Sequence, residues 1–338
     1  MNGRTLRWLL ALARGSALRG RAPRLVVLRH HRVYDDGAAP LDRLGISAAV
    51  FRAQLEMLAR AGLVPVSVAE GIAHLDRGDP GARVALSFDD GYADNHARAL
   101  PLLRAAGARA TFFLTAGLME RREAPWWDEV ADAFERSKAA LLVWDGAGAT
   151  MRLPLAGRAD RRRAMAAVLP DFRADLATRA RRIGALRAAL GVEGPVRCEL
   201  MGWSDAAALR DAGMEIGAHT MTHPHLTTLA PGDQAAEIAD SVALIEQRLG
   251  VRPAGFAYPG GDYDARTLDA VRAAGLAYAV TTRAGENRAG SPRLELKRRG
   301  LPDGACLGPG GAFAPRLAMA EIAGAFDGMR ALRAEAAR

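Results

Sequence analysis

Apolar, β-branched-rich runs alternate with amphipathic stretches along nearly the whole chain, the rhythm of repeated parallel β/α units. The apolar runs predict strands at Arg24–Leu28, Leu63–Val66, Ala82–Phe88, Ala110–Thr115, Met214–Ala218, Gly255–Tyr258 and Ala277–Thr281. Between them the spacing predicts helices at Ser47–Ala61, Asn95–Ala106, Ser204–Ala212, Asp233–Leu249 and Ala265–Ala274, with Ser47 and Ser204 as N-caps. Several end on a glycine such as Gly213 or Gly250, the residue that most readily takes the left-handed conformation closing a helix. Seven strands with intervening helices favour an α/β barrel over an open sheet.

The rhythm breaks between about Leu118 and Gly202, where the chain is rich in Arg and Ala with scattered strand signal. A structureless loop of that length is improbable in a compact domain, so a mostly helical insertion on one barrel loop is expected. It begins with Trp126-Trp127-Asp128; paired indoles here suit either a sugar-stacking wall or simple helix docking. The expected organisation is a basic segment at 1–23, a barrel domain at 24–315 carrying the insertion at about 118–202, and a C-terminal helix within 316–338 packed on the barrel.

Half of the 338 residues are hydrophobic, enough for a substantial core. The formal net charge of +8 raises the question of nucleic acid or an anionic surface. The positive charge is mostly Arg spread over Ala-rich helices, without basic runs interleaved with aromatics, so no nucleic-acid partner is expected. Cys198 and Cys306 are the only cysteines, which excludes a disulfide framework and a Cys-based zinc site. Near the N-terminus, Arg4 and Arg7 precede the short apolar run Trp8–Ala13, too short to span a bilayer and short of a usual signal-peptide core. It reads as a basic surface helix or as an interfacial anchor giving peripheral membrane contact, and the expected location is cytoplasmic or membrane-peripheral.

Chemistry concentrates where strands stop. Leu86-Ser87-Phe88-Asp89-Asp90-Gly91 sets two adjacent carboxylates at the end of one predicted strand. His219-Thr220-Met221-Thr222-His223 follows another and spaces two imidazoles four residues apart, a two-His metal spacing; Pro224 points to a loop presentation. In a β/α barrel such strand ends converge on one face, where the four side chains would supply three metal ligands and one free base. Phe256-Ala257-Tyr258-Pro259-Gly260-Gly261 is a third strand running into a turn, readable as a plain turn or a groove wall.

These three segments, with the framework stretches Ala110–Leu114 and Gly213–His219, resemble the polysaccharide deacetylases with a NodB-type homology domain, carbohydrate esterase family 4, over about Leu25 to Thr282. The resemblance implies a distorted (β/α)7-type barrel with a helical insertion and a hydrolase removing acetyl groups, N-acetyl above all, from a polysaccharide or lipid-linked saccharide. It implies one divalent metal ion, expected to be zinc, held by Asp90, His219 and His223, with Asp89 as general base. It also implies an oxyanion contact from the backbone N–H near Tyr92, while the placement of Tyr258, Pro259 and Trp127 at strand and loop ends is the reason to expect them along a substrate groove. Two departures stand out. The family's base-steering Arg in the third motif is replaced by Ala257, and no His follows His225 to serve as the late general acid. His30-His31 follow the first strand, and His31 or His225 is expected to contact substrate or shuttle a proton. His74 and His96 are expected to be structural or solvent-facing. A competing expectation is a carbohydrate-binding protein that keeps the barrel and metal site without catalysis.

Overall fold

The computed structural model describes residues 18, 20, 22–42, 44–146 and 148–327. In chain order its strands are β1 (Arg24–His30), β2 (Val33–Tyr34), β3 (Ile46–Ser47), β4 (Ala82–Phe88), β5 (Thr111–Leu114), β6 (Leu141–Asp145), β7 (Thr150–Pro154), β8 (Glu215–Ala218), β9 (Gly255–Ala257), β10 (Tyr278–Val280) and β11 (Arg298–Gly300). Seven form one parallel sheet in the order β10-β9-β8-β5-β4-β1-β11. A parallel bridge between Val280 and Leu296 links its two edges into a nearly closed barrel with helices around it. The barrel expected from the periodicity, in the (β/α)7 form that the resemblance implies, is therefore the observed one, although its seventh strand differs from the expectation. Leu63–Val66 contributes only a bridge from Val66 to Ala85, and the short charged strand β11 takes the seventh place.

Side chains on the strands alternate sides, as the two-residue period requires. Leu25 and Val27 of β1 join Ala85, Phe113, Tyr278, Val280 and Leu296 in the barrel interior. Val26 and Leu28 face the larger layer under the helices with Phe51, Leu55, Val84 and Leu86. Ser47 caps the helix Ala48–Arg60 by accepting from the Val50 N–H. Ser204 does not cap its helix: Trp203–Asp211 starts at Gly202, whose N–H is held by Asp205. The expected helix Asn95–Ala106 is a π turn, Asn95–Ala99, running into an α-helix, Leu100–Ala105. Gly213 and Gly250 close their helices at φ 78° and 67°.

Between residues 126 and 189 lie three helices, Trp126–Arg136, Arg158–Val168 and Leu176–Ala189, and the antiparallel hairpin β6–β7. They share a small core of their own around Val130, Phe134, Leu142, Trp144, Met165, Phe172 and Leu186. Toward the C-terminus, Leu317, Ala318 and Ile322 of the helix Pro315–Ile322 are buried. No helix among the described residues is long and apolar enough to cross a membrane. The apolar run Trp8–Ala13 and the end of the C-terminal segment 316–338 lie outside the described residues.

Candidate active site

Asp89 and Asp90 leave the end of β4, and His219 leaves the end of the neighbouring-but-one strand β8, so both segments emerge at the same mouth of the barrel. His219 Nε2 lies 3.4 Å and His223 Nε2 3.6 Å from Asp90 Oδ1, and the three potential ligand atoms fall within 4.8 Å of one another. Ligand atoms about 2.0–2.1 Å from a tetrahedral ion stand roughly 3.3–3.4 Å apart, so this spacing fits a small cation. The polar bookkeeping agrees: Asp90 Oδ1 is buried without a hydrogen-bond donor. His219 Nδ1 lies 2.6 Å from the Ala257 carbonyl. A carbonyl only accepts, so Nδ1 carries the proton and Nε2 presents its lone pair toward Asp90. Burial, and then the neighbouring His219, pull the His223 pKa down to about 3, which leaves that ring neutral and able to ligate.

Holding these groups together strains the backbone. Among the described residues the non-glycine positions with positive φ are Asp90 (76°), Arg122 (55°), Thr220 (66°) and His223 (53°). Three of the four belong to the two motifs, where such strain persists only if surrounding contacts fix it. Glu237, from the helix Pro231–Leu249, accepts from the Met221 and Thr222 N–H groups at 2.8 and 2.9 Å, and Thr220 Oγ1 accepts from the His223 N–H at 3.0 Å. These contacts pin the histidine loop in the conformation that Pro224 denies to a helix.

Asp89 is matched by a residue that the sequence reading did not single out. Arg298 of β11 donates from Nη1 to Asp89 Oδ1 at 2.6 Å and from Nη2 to Oδ2 at 2.8 Å. It also donates to Ser87 Oγ and to the Thr281 carbonyl, and is 1% exposed. Burial alone would raise the Asp89 pKa, but the charge and hydrogen bonds of Arg298, with His219 and His31 nearby, hold it well below the usual carboxylate range. An Arg beside Asp89, absent at Ala257, is thus present on the strand that completes the barrel. No hydrophobic pattern marks β11, because it sits in the charged run Lys297-Arg298-Arg299.

The remaining expected residues divide. His31 Nε2 lies 3.9 Å from Asp89 Oδ2, while the Asn95 side chain holds the His31 carbonyl at 2.7 Å. His225 is turned toward Asp262, at 3.9 Å, with its pKa lowered to about 4 by burial and by Arg179 and Arg173. The Tyr92 side chain is fully buried, donating to Asp128 at 2.9 Å and accepting from Trp127 Nε1 at 2.7 Å, with Arg32 over its ring. Any substrate contact from Tyr92 therefore falls to its backbone N–H. Trp127 packs its ring 4.2 Å from that of His223, backing this imidazole, and remains partly exposed. Tyr258 and Pro259 do not line an open groove. Both are buried, and the Tyr258 hydroxyl donates inward to the Leu294 carbonyl. His74 is buried against the Gly81 carbonyl, and His96 is paired with Asp205. Beside the site, a cavity of about 700 Å³ opens between Trp126, Arg179 and Ile183 of the inserted helices and Thr222.

The arrangement has counterparts. The structure of a Streptococcus pyogenes deacetylase, PplD, in complex with acetate aligns at TM-score 0.55 and 20% identity, covering 82% of this chain and 92% of that one. IcaB from Ammonifex degensii aligns at TM-score 0.53 and 22% identity, covering 82% and 91%. At these identities the likeness is one of fold. In sequence, the chain is 36% identical over 73 residues to Bacillus subtilis YxkH, a protein provisionally named a polysaccharide deacetylase. It is 37% identical over 82 residues to an uncharacterised Streptomyces coelicolor protein, SCO4760. These matches cover 22–24% of this chain and about a quarter to a third of the relatives' length, 26% and 33%. The model of the family described as polysaccharide deacetylase matches residues 76–146 and 172–279, more than half of the sequence. With both strand-end motifs inside that match and the barrel shared with solved deacetylases, this chain belongs to the polysaccharide deacetylase family.

Proposed function

We propose that the chain hydrolyses an N-acetyl group on a saccharide, with Asp90, His219 and His223 holding one divalent cation, zinc by the donor set, and Asp89 acting as general base. The observation that carries this reading is the pairing of a preformed three-ligand cluster, its Asp90 oxygen lacking a donor, with a buried carboxylate clamped in its ionised form next to it. Bound there, a divalent cation supplies Lewis acidity that polarises the acetyl carbonyl and acidifies water, so that a weakly basic carboxylate suffices as base.

Asp89 accepts the proton of the attacking water, and Arg298 fixes the direction of its oxygens. The Tyr92 N–H, at the turn after Asp90, is aligned by the family motif to stabilise the oxyanion as the carbonyl carbon becomes tetrahedral. His31, beside Asp89, passes the proton that Asp89 has taken from the water on to the departing nitrogen as the C–N bond breaks, releasing acetate and an amine. Of the two candidate histidines, His31 is favoured because it faces Asp89, whereas His225 faces Asp262.

The test is acetate release by zinc-loaded full-length protein from chitin oligomers, peptidoglycan, poly-N-acetylglucosamine and acetylxylan. Chelation is expected to abolish release, Asp89→Asn to keep stoichiometric metal without turnover, and His219→Ala to lose both. Glycan binding without acetate release from any substrate would instead identify a binding protein.

A further inference from the structure

One cation at the barrel mouth has no role in the scheme above. Arg29 lies on β1 between Ser87 of β4 and Gly300 of β11, two residues beyond Val27 and therefore on the interior side of the barrel wall. Its guanidinium makes no hydrogen bond or ion pair with any described residue. Gly300 beside it has no side chain to cover it, since the Arg29 Nη2 sits 3.6 Å from where a Cβ would stand. It lines a cavity of about 200 Å³ together with His31, Leu44, Gly45 and Pro302, and His31 borders the candidate active site, its Nε2 3.9 Å from Asp89 Oδ2.

Asp89 is already matched by the bidentate Arg298, and Asp90 is committed to the ligand cluster. Arg29 is close enough to feel the charges of Arg298, Asp89 and Asp90, and both burial and Arg298 disfavour its charged form. A half-buried guanidinium with five donors and no acceptor is costly unless something brings the acceptor. His31 lines both this cavity and the candidate active site, and a neutral acetamido sugar offers no anion to fill the cavity.

Resting on the deacetylase reading, we infer that Arg29 forms an oxyanion subsite, and that the substrate carries a carboxylate or phosphate ester next to the acetylated sugar. A uronic-acid neighbour and a phosphorylated sugar present the same chemistry, and guanidinium matches both by paired N–H donors.

The test measures binding by calorimetry and acetate release in parallel, with full-length zinc-loaded protein, Arg29→Met and Arg29→Lys. Three probes are used: neutral chitotetraose, a tetrasaccharide alternating glucuronate with N-acetylglucosamine, and N-acetylglucosamine 6-phosphate. At least one anionic probe is expected to bind the wild type about 10- to 100-fold more tightly than Arg29→Met, the range of a charge-assisted hydrogen bond. Chitotetraose is expected to bind all three proteins alike, and Arg29→Lys to recover part of the loss. The tetrasaccharide and the phosphate arms tell which oxyanion is read. Because Arg29 makes no bond to any described residue, Arg29→Met is expected to fold; Arg29→Lys, which keeps the charge, serves should it not. Equal loss for neutral and anionic probes, or no loss, overturns the subsite. So does a fall in acetate release from chitotetraose with unchanged binding, which would put Arg29 in service of the reaction centre. Discriminating binding with no acetate release from any probe would uphold the subsite and reject the deacetylase reading.

Discussion

Replacing Arg298 with Met removes the partner of a buried carboxylate while keeping most of the side-chain bulk. Asp89 is 3% exposed, and Arg298 makes two bonds to it, at 2.6 and 2.8 Å, and two more to Ser87 and Thr281. Stranding one member of such a buried pair costs about 3–5 kcal/mol, which a urea titration reads as a lower midpoint. Removing both charges, Asp89→Asn with Arg298→Met, is expected to return much of that stability, because no uncompensated charge is left. The kinetic consequence is separable from the structural one. In the wild type Asp89 stays ionised well below the usual carboxylate range, so its protonation does not limit activity at mildly acidic pH. Without Arg298 the desolvation of Asp89 is opposed only by His219 and His31, and its pKa rises. Because the base acts deprotonated, the acid limb of kcat/KM is then expected to move to higher pH, together with a loss of roughly 100-fold at neutral pH from the misdirected carboxylate. Arg298→Lys, a point charge without the planar fork, should fall between. Wild-type stability and an unshifted acid limb in Arg298→Met would refute the reasoning.

Other outcomes follow from the same geometry. His31→Gln is expected to slow acetate release from an acetamido sugar by about 100-fold or more while sparing an aryl acetate, whose leaving group needs no proton; equal loss on both substrates would remove His31 as the acid. Burial pushes the Asp128 carboxyl from 3.8 up to about 8. The native state therefore binds more protons than the unfolded chain across that window, and stability falls as pH rises through it; Asp128→Asn should flatten that decline in Tm between pH 5 and 8. A Cβ at Gly217 would collide with the Phe113 ring inside the barrel, so Gly217→Val should lower the urea midpoint by the equivalent of at least about 1–3 kcal/mol.

The sequence by itself determined the parts of this protein whose information is local. Long two-residue and 3.6-residue periodicities marked six of the seven barrel strands and the helices between them, and fixed spacings marked Asp89, Asp90, His219 and His223 at strand ends. What only the tertiary structure decided depends on partners far apart in the chain. Leu63–Val66 is apolar enough for a strand yet makes one bridge, while Arg298–Gly300, only three residues long and mostly charged, pairs along β1 because the closing barrel brings it there. Tyr258 reads as a groove residue from its turn, and becomes buried because Leu294 offers its hydroxyl an acceptor from across the closure. The same closure carries Arg298 to Asp89 across 209 positions of sequence. A short strand in a basic run has no periodicity to betray it, so the partner of Asp89 becomes visible only once the barrel is closed.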